Sequence, residues 1–159
     1  MPIRGFSHVA IGVSDMARAM DFYCGVLGLE LLYDLGETLE MDGGDSVPRR
    51  GVYLKWPGDT TGSLIVLDTQ DRRGAQLGPR GFHDLGMHHF GFWVDDEIEA
   101  IYQRAVAAGC PIVQSLFTMP ADQSGNPTGE AATTALFRDP DGNIIQLDGI
   151  KPSSSLAVS

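Results

Sequence analysis

The chain has 159 residues, enough for one domain or two small fused modules, and its 43% hydrophobic and 20% charged residues suit an ordinary globular protein with a real core. A formal net charge of -10, from 21 acidic against 11 basic residues, repels phosphate backbones and argues against nucleic-acid binding. No apolar run approaches the roughly 20 residues of a membrane span, and MPIRGFSH lacks the apolar core of an export signal, so the expectation is a cytoplasmic chain without membrane contact.

Phe6 to Val13 (FSHVAIGV) alternates with the period of a half-buried strand. Val9, Ile11 and Val13 form one apolar face, and His8, Ala10 and Gly12 the other, a histidine followed by small residues that leave space for a cavity wall. Ser14-Asp15 signals a helix start, Met16, Ala19, Met20, Phe22, Tyr23 and Leu27 supply an apolar stripe, and Gly28 ends the helix. Leu29 to Leu35 reads as a strand, Gly36 to Arg50 as a long Gly-, Asp- and Pro-rich hairpin loop, and Val52 to Trp56 and Leu64 to Thr69 as two further strands. Asp71 to Leu85 is a connector carrying Gly and Arg residues and the loop residue His83.

The pattern then starts again. His89 to Val94 (HFGFWV) repeats the first strand, with Phe90, Phe92 and Val94 on one face and His89, Gly91 and Trp93 on the other. Asp95-Asp96 is expected to cap a helix carrying Ile98, Ile101, Tyr102, Ala105, Val106 and Ala108, ended by Gly109. Three pairs, His8 and His89, Asp15 and Asp96, and Gly28 and Gly109, share one offset of 81 positions. A strand over Ile112 to Phe117 follows, then a long loop from Met119 to Glu130 suited to a mobile lid. Strands over Thr133 to Arg138 and Asn143 to Gly149, joined by the tight turn Asp139-Pro-Asp-Gly, complete the copy. Cys24 and Cys110 lack CxxC spacing and read as reduced thiols at helix ends, with a disulfide left open. Arg49-Arg50 and Arg72-Arg73 read as solvated loop pairs, one of which could steer an anionic substrate.

The expected fold class is therefore α+β: two βαβββ modules, 1–70 and 87–150, joined by a connector at 71–86 and followed by a disordered tail at 151–159. Helices are expected on the outer faces. The curved mixed sheets pair around a central cavity onto which both histidine faces converge, one domain overall.

The phrases SHVAIGVSD, DFYCGVLGLEL, HHFGFWVDD and FRDPDGNIIQL, spread over residues 4 to 150, resemble the vicinal oxygen chelate superfamily of glyoxalases, bleomycin resistance proteins and extradiol dioxygenases. The resemblance implies a divalent metal (Fe, Mn, Ni or Zn) held by ligands from both modules. Its positions fall on His8, His89 and Gln146; the fourth falls near Val66, which cannot ligate, while Asp68 and Asp148 share the parity of these positions. His88 has the opposite parity and is expected to face the helix layer. Gln146 stands where relatives usually carry a glutamate, which removes a negative charge and a strong oxygen donor, and no glutamate base flanks the site. Trp93 is expected in the pocket wall, and Tyr53, Trp56 and Phe117 are candidates for an aromatic lining.

Two functions follow. One is a metal-dependent enzyme, dioxygenase-like or a lyase or isomerase, whose metal chelates vicinal oxygens of a small molecule as a Lewis acid. Its catalytic residues are not assigned. The other is a metal-free protein that sequesters an aromatic drug or natural product, for which an acidic chain with an aromatic groove suits a cationic ligand. The resemblance also implies a homodimer.

Overall fold

A computed structural model describes residues 6–40, 42–44, 46–59, 62–70, 81 and 85–150. The chain divides into two compact units, Met1–Gln76 and Leu77–Ser159, so the boundary falls inside the expected connector. His83, Arg72-Arg73 and the tail at 151–159 lie outside the described residues.

In the first unit, β1 (His8–Gly12) leads into α1 (Met16–Met20), which continues as a π-helical stretch over Asp21–Val26. Asp15 caps α1, its carboxylate accepting from the Arg18 amide at 3.1 Å. Met16, Ala19, Phe22, Tyr23 and Val26 turn inward, with the Phe22 and Tyr23 rings edge to face at 4.9 Å. Gly28, at φ 82°, takes the left-handed conformation that ends the helix and sends the chain into β2 (Glu30–Glu40). Strands β3 (Ser46–Lys55) and β4 (Leu64–Gln70) complete a sheet of order β1-β4-β3-β2, in which β1 and β4 run parallel.

The second unit repeats this plan with β5 (His89–Val94), α2 (Ile98–Ala107), β6 (Ile112–Met119), a short α3 (Ala121–Ser124), β7 (Ala132–Arg138) and β8 (Ile144–Gly149). Its sheet order is β5-β8-β7-β6, again with the first and last strands parallel. The fold is α+β, two βαβββ modules. In each, the core lies between helix and sheet: Ile11, Ile65, Leu67, Val52 and Leu54 in the first, and Ile98, Ile101, Ala105, Ile145, Leu147 and Phe137 in the second.

Three local expectations change. Most of the segment 36–50 is strand and not loop: β2 and β3 form a long hairpin paired from Glu30↔Lys55 to Glu40↔Ser46, with Pro48 opposite Thr38, and 42–44 make the turn. Cross-strand ion pairs hold this ladder, Arg50 gripping Asp34 at 2.8 and 2.9 Å and Lys55 meeting Glu30 at 3.2 Å. Glu97, not Asp96, occupies the N-cap position of α2, without a side-chain cap bond. The segment from Met119 to Glu130 is a folded turn and not an open lid. Asn126, 7% exposed, donates to Ile150 O at 2.8 Å and to Ala131 O at 3.3 Å while accepting from the Thr128 amide. Ser124 Oγ donates to Glu130 O at 2.9 Å.

Replacing Asn126 removes three bonds at one buried point. Asn126→Ala is expected to cost about 2 kcal/mol and to speed hydrogen exchange across residues 120–131, with little change in β8. Unchanged exchange in that segment contradicts the pinning role.

Candidate functional site

Each sheet spends one face on its helix, and register decides which side chains share the other, the open face, on which Val66, Asp68 and Thr134 are nonetheless buried. In the first module the rungs are His8↔Leu64, Ala10↔Val66 and Gly12↔Asp68; in the second they are His89↔Ile144, Gly91↔Gln146 and Trp93↔Asp148. Val66 and Gln146 therefore occupy equivalent rungs, as do Asp68 and Asp148, while Gly12 in one module stands where Trp93 stands in the other.

In the second module one rung crosses all four strands as Trp93, Asp148, Thr134 and Phe117. Asp148 is bound from two sides: Thr134 Oγ1 donates to Oδ1 at 2.8 Å, and Gln146 Nε2 donates to Oδ1 at 3.0 Å and Oδ2 at 2.9 Å. A carboxylate only accepts, so the Gln146 amide must present its nitrogen to Asp148 and turn its oxygen away. Gly91 contributes no side chain over Gln146; a Cβ there would sit 3.5 Å from that of Gln146. His89 Nδ1 lies 2.7 Å from His88 Nδ1, so one ring donates and the other accepts. Burial lowers the His89 pKa and the adjacent His88 lowers it further, against the opposing effect of Asp148, so the net shift favours the neutral imidazole. His88 precedes β5 and so escapes strand parity; it meets the His89 ring at a centroid distance of 4.6 Å instead of facing the helix.

In the first module the open face is occupied by a network centred on Arg49. Its Nη1 donates to Asp68 Oδ2 at 2.6 Å, and its Nη2 donates to Glu37 Oε1 at 2.6 Å and Tyr53 Oη at 3.0 Å. The side chains of Arg49 and Asp68 are 13% and 10% exposed, so these are largely desolvated, charge-assisted bonds. The bond to Asp68 does most to raise the arginine's pKa, against the opposing effect of burial. Gly51, facing Asp68 across the ladder, makes the network possible, because a Cβ there would meet the Tyr53 ring at 3.2 Å. Tyr53 shares a rung with Val66 and stands edge to face with Tyr33 at 6.3 Å. His8 is exposed, with its Nδ1 3.0 Å from Ser7 Oγ.

Val66, Asp68 and Tyr53 thus share the first open face, and Trp93, Asp148, Gln146 and Phe117 the second; Trp56 lies beyond the end of β3. Arg49, Glu37 and Thr134 are the polar residues that sequence reasoning missed. Their signal was the alternation Arg49, Gly51, Tyr53, hidden by reading 36–50 as loop. Among the described residues no group of three or more His, Cys, Asp or Glu side chains is placed to hold a metal ion. With Val66 apolar, Asp68 paired to Arg49, and Asp148 engaged by Gln146 and Thr134, the donors do not fit a carboxylate-bound divalent metal. Cys24 and Cys110 are free, half-buried thiols whose pKa burial raises, unreactive and not paired.

Arg49→Met strands the Asp68 charge in a nearly dry site and is expected to cost about 3–5 kcal/mol in urea unfolding, most of it recovered in the double variant Arg49→Met/Asp68→Leu. A loss below about 1 kcal/mol in the single variant contradicts a desolvated pair.

Residues 5–147 match the sequence profile of the Glyoxalase/Bleomycin resistance protein/Dioxygenase superfamily. No curated protein sequence matches the chain. Among solved structures, the trypanothione-dependent glyoxalase I of Leishmania major is 22% identical, with 93% of this chain and 88% of that one covered and a TM-score of 0.61. A glyoxalase family protein from Enterococcus faecalis is 21% identical over 91% of this chain and 97% of its own, with a TM-score of 0.59. An antibiotic-binding protein from a Streptomyces species is 22% identical over 94% and 98%, with a TM-score of 0.58. Such identities carry the fold alone, whereas the profile spans nearly the whole sequence. By that match, and by the duplicated βαβββ architecture it accompanies, the chain belongs to the Glyoxalase/Bleomycin resistance protein/Dioxygenase superfamily.

Proposed function

We propose that this chain binds a planar aromatic small molecule on the open faces of its sheets and does so without a metal. The observation that carries the reading is the commitment of the carboxylates there. Glu37 and Asp68 are held by Arg49, Glu30 by Lys55, and Asp148 by Gln146 and Thr134. A divalent cation would find neutral donors only, whereas an organic ring finds the exposed Tyr33 and Leu35 on the first module's face, or the exposed Trp93 on the second module's, where half-buried Phe117 closes the same rung at the far strand. Apolar walls with a few fixed polar groups are the composition of small-molecule sites, and the net charge of -10 favours a cationic ring over an anionic one.

One feature favours the competing reading, a metal enzyme of the dioxygenase-like or lyase/isomerase kind using His8, His89 and Gln146. Asp148 orients the Gln146 amide as an outer carboxylate orients a metal ligand. Both readings make this a protein of small molecules; no helix among the described residues is long and apolar enough to cross a membrane.

The test is a tryptophan-fluorescence titration with 9-aminoacridine, a planar aromatic cation, in excess EDTA. Saturable binding that weakens about tenfold or more in Trp93→Ala, roughly 1.4 kcal/mol, is the expected result. Binding that appears only when a divalent metal is restored contradicts the proposal.

A further inference from the structure

In the second module the half-buried Gln146 is held in one orientation by its neighbours. Its Nε2 donates to both oxygens of Asp148, at 3.0 and 2.9 Å, and Thr134 Oγ1 grips the same carboxylate at 2.8 Å. Turning the amide over would set its oxygen against a carboxylate, so Oε1 is locked as an acceptor on the side away from Asp148. Among the described residues Oε1 has no hydrogen-bond partner. The enclosed side-chain atoms without a partner there are Arg49 Nε and Asp68 Oδ1 alone, so Gln146 Oε1 is open to approach.

Beside this acceptor there is room for a ring. Gly91 is exposed and pairs with Gln146 across the β5–β8 ladder. A Cβ on Gly91 would stand 3.5 Å from that of Gln146 and 3.6 Å from Asp148 Oδ2, so the missing side chain leaves a bed along these two residues. Gln146 Oε1 lies three bonds beyond that Cβ, within reach of the edge of a ring placed there. The exposed Trp93 follows on the same face, about 7 Å farther along the strand, and offers its indole as a wall. The acceptor asks for a donor: an N–H or O–H satisfies it, whereas an ether, a carbonyl or an N-alkyl group leaves it unpaired. Asp148 keeps its charge close by, because its partners are the neutral Thr134 and Gln146 and no Lys or Arg pairs with it among the described residues. A cationic N–H is therefore favoured over a neutral hydroxyl.

We infer that the second module selects its ligand by a ring-borne N–H, which donates to Gln146 Oε1 while the ring lies over Gly91 against Trp93. Asp148 is the positioning residue, acting through the amide it holds. The inference rests on the aromatic-ligand reading above and adds to it the module that binds and the functional group that is recognised.

The probes are 9-aminoacridine and 10-methylacridinium, each titrated into the full chain in excess EDTA. Both are planar tricyclic cations at neutral pH, and only the first carries N–H donors. The expected result is about tenfold tighter binding of 9-aminoacridine. Gln146→Met removes the acceptor at similar length and should bring the ratio close to one by weakening 9-aminoacridine alone. Asp148→Asn frees the amide to turn and should lower the ratio with Gln146 still in place, which lost packing does not do. Gly91→Val fills the bed and should weaken both probes; its Cβ meets ordinary contacts at a position without positive φ, so the unfolding midpoint is expected to hold. Equal affinity of the two probes for the unsubstituted chain overturns the inference and leaves the aromatic-ligand reading standing. A preference retained in Gln146→Met, or affinities unchanged in Gly91→Val, overturns it as well. Failure of both probes to bind removes the inference together with the reading beneath it.

Discussion

Adjacent residues on a strand point to opposite faces, and every feature of this protein's candidate site descends from that alternation. In β1 and β5 it gives the apolar residues to the helix and leaves His8, Ala10 and Gly12, or His89, Gly91 and Trp93, on the open side. The parallel pairing to β4 and β8 then fixes which residues meet them. A slip of one residue would turn Asp68 and Asp148 against the helices and take Leu67 and Leu147 out of the helix-side core, so register and core depend on each other.

Within that shared frame the two modules have diverged. An aspartate stands on the same rung in both, yet Asp68 is gripped by an arginine and Asp148 by a glutamine and a threonine. The adjoining rung holds apolar Val66 in one and polar Gln146 in the other. The first module opens beside its aspartate at Gly12, while the second closes there with Trp93. The result is two faces of different chemistry: one with a charged, nearly dry cluster next to paired tyrosines, the other with an amide-clamped carboxylate between Trp93 and Phe117.

Much of the fold was legible because its signals are local. The 81-residue offset, the alternation in FSHVAIGV and HFGFWV, and glycines after both helices each lie within a few neighbouring residues. Where the outcome depended on distant partners, the sequence was silent. Gly36 and Pro48 look like loop punctuation, but pairing of Asp34 with Arg50 and Glu37 with Arg49 carries the strands through them, and only Gly43 and Gly44 serve the turn. Asn126 looked like part of a lid because its anchor, Ile150, lies 24 positions away. The same holds for the site: parity alone placed Asp68 and Asp148, but their partners come from β2, β3 and β7, and no spacing rule announces Arg49. The expected pairing of Gln146 with a metal was read from a resemblance, whereas its bond to Asp148 is geometry.

The central claim is that the carboxylates of the open faces serve internal partners and leave no anionic donor for a metal. Elemental analysis of the purified protein, after incubation with Fe, Mn, Ni and Zn salts and desalting, tests this most directly. The account predicts far less than one metal per chain, unchanged in His8→Ala. About one metal per chain, lost in His8→Ala or His89→Ala, would contradict it and restore the metal-dependent enzyme.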